Sequence, residues 1–146
     1  MKIPRWWVIP ILLLVSPLAA RPPSTELRIL LSKQGFHAPL NKNSDVKYVG
    51  EIVQGIRRYQ IYYYRYVIPE NKRGVGRLII LINNKIYLGS YDVTTTDSCH
   101  TKGKSVFCDT WSGYDKEIRF TKHGPPAVTY IDGRIAQITP GSVVSN

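Results

Sequence analysis

No apolar run in the sequence is as long as the ~20 residues that a membrane-spanning helix requires. There is no Gly-x-Ser-x-Gly elbow, no Cys-x-x-Cys pair and no complete Gly-x-Gly-x-x-Gly phosphate loop. Each absence removes a class. Without the elbow there is no support for an activated serine nucleophile of the α/β-hydrolase kind. Without paired cysteines there is no framework for a structural zinc site. The Gly74-Val75-Gly76 fragment lacks the third glycine and the following helix, so nucleotide binding has no basis. Beyond residue 46 no ten-residue stretch has helical periodicity and no βαβ alternation appears, which speaks against a parallel sheet. Acidic residues are also scarce, with 10 Asp and Glu against 20 Lys and Arg.

Cys99 and Cys108 are the only cysteines. An even pair enclosing a short segment with Thr101-Lys102-Gly103-Lys104 at its centre predicts a disulfide across a hairpin, formed in an oxidising compartment. The competing use of Cys99, His100, Cys108 and Asp97 or Asp109 as metal ligands lacks a matching ligand spacing. No metal or cofactor is expected.

The first twenty residues read as an export signal: Lys2 and Arg5 precede an apolar stretch from Trp6 to Leu14 that continues through Val15, and small residues follow at Ala19 and Ala20. The expected division is a signal peptide over 1–20 and one β-rich domain over 21–146. Cleavage after Ala20 leaves 18 Lys and Arg against 10 Asp and Glu, a formal +8. That excess suits an anionic partner, and it equally serves solubility.

One helix is predicted, over about 25–34. Ser24 or Thr25 can cap it, Glu26 suits its first turn, Leu27, Leu30 and Leu31 form an i, i+3, i+4 stripe, and Gly35 stops it. After a loop from Phe36 to Asp45 the pattern becomes strands between turn residues, from about 46 to 139. These are Val46 to Val53, Arg57 to Ile68, Arg77 to Ile82, Lys85 to Tyr91, a pair flanking 101–104, Glu117 to Thr121, Ala127 to Ile131 and Arg134 to Ile138. Asn83-Asn84 and Asp132-Gly133 are the best hairpin turns, because these residues tolerate positive φ. Leu78 to Ile82 are consecutively apolar, so that strand needs cover on both sides, from the helix or from a second sheet. Tyr48-Val49-Gly50 and Tyr87-Leu88-Gly89 share a Tyr-x-Gly pattern that reads as coincidence or a shared strand-end bulge rather than a duplication. The tail from Pro140 is expected to fray. The fold class is mainly β, an antiparallel meander forming a sandwich or half-open barrel with one short N-terminal helix.

The most unusual segment runs from Arg57 to Tyr66. Alternation places Arg58, Gln60, Tyr62, Tyr64 and Tyr66 on one face and Arg57, Tyr59, Ile61, Tyr63 and Arg65 on the other. Arginines interleaved with aromatic rings can stack on flat ligands and meet anionic groups; tyrosine is equally a favoured core residue of strands. Lys72-Arg73-Gly74-Val75-Gly76-Arg77 reads as an exposed hairpin tip adding positive charge. The candidate ligand-binding residues are therefore Arg57, Arg58, Tyr62, Tyr64, Arg65, Tyr66, Lys72 and Arg73.

Catalysis has weaker candidates. His37, His100 and His123 each fall in a loop or turn and suggest acid–base work only if two of them meet. Asp109, Asp115 and Glu117 around Trp111-Ser112-Gly113-Tyr114 offer paired carboxylates. The sequence thus leads to a non-enzymatic exported binding module engaging a protein or an anionic polymer. A small hydrolase using His100 or His123 with Asp109, and a purely structural envelope protein, are its alternatives.

Overall fold

Ten strands and one helix are arranged in a computed structural model that describes residues 24–94, 96–110 and 117–142, with Asp97 and Thr110 described in backbone only. The expected signal and the segment from Trp111 to Asp115 lie outside the described residues, as does the side chain of Asp97.

Helix α1 (Ser24–Lys33) carries Glu26 in its first turn and Lys33 in its last, both favourable to the helix dipole. It ends where Gly35 takes a φ of +85°, which lets the Phe36 N–H reach back to the Leu31 carbonyl at 3.0 Å. A side chain at position 35 would resist that left-handed geometry.

The chain then forms β1 (Ser44–Gln54), β2 (Arg57–Val67), β3 (Gly74–Ile82) and β4 (Ile86–Asp92), which pair antiparallel with β10 (Thr139–Pro140) in the order β1-β2-β3-β4-β10. A second sheet holds β5 (Thr96–Lys102), β6 (Ser105–Thr110) and β7 (Glu117–Arg119), and a third is the hairpin of β8 (Val128–Ile131) and β9 (Arg134–Gln137). The molecule is a sandwich-like arrangement of three antiparallel sheets and not a closed barrel. Asn83, Asn84, Asp132 and Gly133 all adopt positive φ, as the two hairpin turns demand.

The apolar run of β3 is covered on both sides, by both of the expected means. Ile79 and Leu81 pack under α1 with Leu27, Leu31, Phe36, Tyr62, Tyr64 and Tyr87. Leu78 and Ile80 face the smaller sheets with Tyr59, Ile61, Tyr91, Val106, Ile118 and Phe120. Arg28 straps the helix to β1 by donating to Ser44 Oγ and to the Ser44 carbonyl, each at 3.0 Å.

Both Tyr-x-Gly segments are bulges. Tyr48 pairs with Tyr62 and Gly50 with Ile61, leaving Val49 as the extra residue of β1. Tyr87 pairs with Leu81 and Gly89 with Ile80, leaving Leu88 as the extra residue of β4. The inserted residue resets the alternation. Tyr87 consequently joins the helix-side core while Tyr91, four residues on, joins the other. Gly50 also admits its neighbour in the second sheet, since a Cβ there would lie 2.0 Å from Thr101 Oγ1 and 2.9 Å from Thr101 Cβ. Threonine is stiff at χ1 and cannot swing clear. Gly50→Ala is expected to cost about 1–3 kcal/mol in chemical denaturation. Thr101→Gly should restore part of that loss in a double-mutant cycle, and additivity of the two changes would refute the contact.

Three expectations are corrected. Gly74, Val75, Gly76 and Arg77 are not part of a hairpin tip; they belong to β3, paired with β2 from Val67 to Tyr64. The close packing of β3 is the reason, since a Cβ at Gly76 would come 2.9 Å from the Val93 carbonyl oxygen and 3.1 Å from Tyr63 Oη. The tail is docked as far as Ser142. Pro140 pairs with Gly89, the Gly141 N–H donates to the Leu88 carbonyl at 3.1 Å, and that of Ser142 donates to Gln34 at 2.8 Å. Lastly, the turn between the cysteine strands is centred on Gly103 and Lys104, because Thr101 and Lys102 still pair with Val106 and Ser105.

Candidate functional site

β2 is the second strand of a five-stranded sheet with both faces covered, and this decides the fate of its tyrosines. Tyr62 and Tyr64 are 3% and 0% exposed. Tyr62 meets the Tyr48 ring edge-on at 5.4 Å, and Tyr64 meets Phe36 at 5.1 Å. The Tyr64 hydroxyl donates to the Pro39 carbonyl. Both are core rings beneath α1 and the segment that follows it, so they form no exposed stacking surface. Tyr66, near the strand's end, is half-buried.

The cations divide between the two ends of β2. Arg57 and Arg58 adjoin the Asn83-Asn84 turn, where the Arg58 N–H donates to Asn83 Oδ1 and the Arg58 guanidinium pairs with Glu51 at 2.9 Å. Arg65, Lys72 and Arg73 lie at the opposite end. Seven residues of strand separate Arg58 from Arg65, about 23 Å at ~3.3 Å per residue. The eight candidates therefore do not make one surface. At the far end Lys72 has a φ of +59° in a loop closed by Lys72 N–H to Ile68 O and Ile68 N–H to Arg73 O, both 2.8 Å. Arg65 stands opposite Asp45 in β1, yet Asp45 pairs with Lys47 instead. Among the described residues, Arg65, Lys72 and Arg73 join no ion pair.

A cleft of about 350 Å³ opens on the helix side of this same end. Tyr64, Arg77 and Ser90 line it from the sheet, Ala38 and Pro39 from the segment after α1, and Ile68 and Val75 from the β2–β3 hairpin. The sequence places Arg77 both at the hairpin tip and at the start of the strand Arg77 to Ile82; its pairing with Tyr64 bears out the strand. The available signal was its position immediately before the apolar run Leu78 to Ile82, where alternation assigns it to one face. Burial raises the Tyr64 phenol to about 12, followed by the charge of Tyr66, while Arg77 and Arg28 oppose the rise. Tyr87 is likewise raised by burial and eased downward by its hydrogen bond with Ser90 and by Arg77.

The catalytic candidates are dispersed. His37 lines the cleft. His123 occupies the tight turn between Thr121 and Gly124, its N–H donating to Thr121 Oγ1 at 3.2 Å. His100 lies on the outer face of β5, stacked on Phe107 at 5.6 Å. Asp109 accepts a hydrogen bond from Ser98 at 3.0 Å on that same face, but among the described residues it makes none with His100. His100 and Asp109 thus form no hydrogen-bonded acid–base pair among the described residues, the carboxylate being engaged by Ser98 instead. Cys99 and Cys108 are joined in a disulfide, so their sulfurs cannot serve as metal ligands. Among the described residues no three His, Cys, Asp or Glu side chains converge on a metal position. No described helix is long and apolar enough to cross a membrane. No family model, curated protein or solved structure matches this chain.

Proposed function

We propose that the chain is an exported, non-enzymatic binding module that engages an anionic polymer through Arg65, Lys72 and Arg73. Export is supported by the basic and apolar succession from Lys2 to Ala20 together with the Cys99–Cys108 disulfide. The observation that carries the binding reading is the contrast between the two ends of β2. At one end Arg58 is matched by Glu51 and only Arg57 is left exposed without an ion pair, whereas at the other end Arg65, Lys72 and Arg73 are all exposed and join none among the described residues. Unmatched guanidinium and ammonium groups attract polyanions and release their counterions on binding.

The test is a salt titration with a single-stranded oligonucleotide as polyanion probe. Each lost contact reduces the slope of log K against log salt by about 0.7, so Arg65→Ala, Lys72→Ala and Arg73→Ala together should lower it by about 2. Arg57→Ala with Arg58→Ala should change it less. An unchanged slope in the triple variant, with the loss appearing at Arg57 and Arg58, would place the contact at the wrong end and refute the reading.

A further inference from the structure

We propose that the cleft beside Arg77 is a binding site for a small monocarboxylate with a compact apolar body. Arg77 leaves β3 on the side that carries Ile79 and Leu81, but past the reach of α1, where residues 35–39 roof the sheet instead. It is half-buried. Among the described residues it joins no ion pair and makes no side-chain hydrogen bond. Asp92 stands opposite it in β4, but that carboxylate accepts from Thr94 and forms no ion pair with Arg77, so a bound anion would offset the desolvation of the half-buried guanidinium.

The lining sets the ligand class. A guanidinium presents parallel N–H donors that match the two oxygens of a carboxylate. Among the described residues Arg77 is the one arginine or lysine of the lining, so it balances one negative charge. Ala38, Pro39, Ile68 and Val75 give the cleft an apolar wall beside the polar groups of His37, Tyr66, Ser90 and Thr139, which suits an anion with a compact apolar body. The volume of about 350 Å³ lies near the lower end of the ~300–1,000 Å³ of small-molecule pockets, which excludes a long chain or a multi-ring body.

The test uses the disulfide-intact chain and three probes followed by calorimetry: 3-phenylpropionate, 3-phenylpropanol and inorganic phosphate. The acid should bind at least tenfold more tightly than the alcohol, and phosphate should fail to displace it. Arg77→Gln should weaken the acid roughly tenfold to hundredfold, the range for loss of a charged hydrogen bond, and leave the alcohol unaffected. Arg77→Lys, which keeps the charge and loses the fork, should fall between the two. Stabilisation of the unaltered protein by the acid in a thermal melt gives a readout that needs no variant. Equal binding of acid and alcohol, competition by phosphate, or undiminished acid binding in Arg77→Gln would each overturn the assignment. The oligonucleotide titration relies on residues of the hairpin and of the other sheet face, so either result stands or falls alone.

Discussion

Truncation of Tyr64 to alanine should lower stability by about 3–5 kcal/mol, the range for removing a buried aromatic ring. The ring is fully enclosed between β2's neighbours, Phe36 and the roof segment, and its hydroxyl holds the Pro39 carbonyl. Tyr64→Phe keeps the ring and loses the hydrogen bond, for a cost of about 1 kcal/mol. Urea denaturation reads both as shifts of the midpoint at constant slope. A loss below about 1 kcal/mol in Tyr64→Ala would mean that the helix-side core does not depend on this ring. The same residue gives the protein an alkaline limit. Its phenol is raised to about 12 by burial, and the phenols of Tyr87 and Tyr91 are also raised, each chiefly by burial. The unfolded chain ionises its tyrosines near pH 10, so it binds fewer protons than the folded state above that point. Stability is therefore kept below about pH 10 and lost as pH climbs through about 12. Tyr64→Phe should show a shallower alkaline decline.

Replacing Cys99 and Cys108 together by alanine should cost about 2–5 kcal/mol and lower the melting temperature by roughly 10 °C. The two residues face each other directly across β5 and β6, with Cys108 only 1% exposed in the core shared with Val106 and Ile118. The bond closes a short loop and so contributes by restricting the unfolded chain. The lost sulfur atoms add a small packing cost. Dithiothreitol applied to the unaltered protein should reproduce most of the effect. An unchanged melting temperature after complete reduction would show that hairpin pairing alone fixes the second sheet.

The helix and the hairpins were legible because each follows from one short-range rule. Leu27 and Leu31 recur at helical spacing and are buried, and Asn83-Asn84 and Asp132-Gly133 were chosen for the conformation that they adopt. The doubly covered β3 was legible too, since five consecutive apolar residues leave no wet face. The orientation of β2 was not. Both of its faces are built from aromatic and aliphatic residues, and alternation cannot distinguish inside from outside when both sides are inside. The bulges at Val49 and Leu88 were suggested only by a repeated glycine, and their effect on facing depends on pairing partners distant in sequence. The start of β3 was obscured by Gly74 and Gly76, which look like a loop, whereas Gly76 sits in a strand with no room there for a side chain.

The two borders of the five-stranded sheet also bear on what the protein does at high concentration. Unpaired backbone along a sheet border is a template on which further chains can add and grow into fibrils. Here the β1 border is kinked by its inserted Val49 and carries the charged side chains of Asp45 and Lys47. The opposite border ends in a two-residue strand whose Pro140 has no amide hydrogen to donate. Neither side offers a long, straight row of donors and acceptors, so this sheet gives an incoming strand no template on which to extend it.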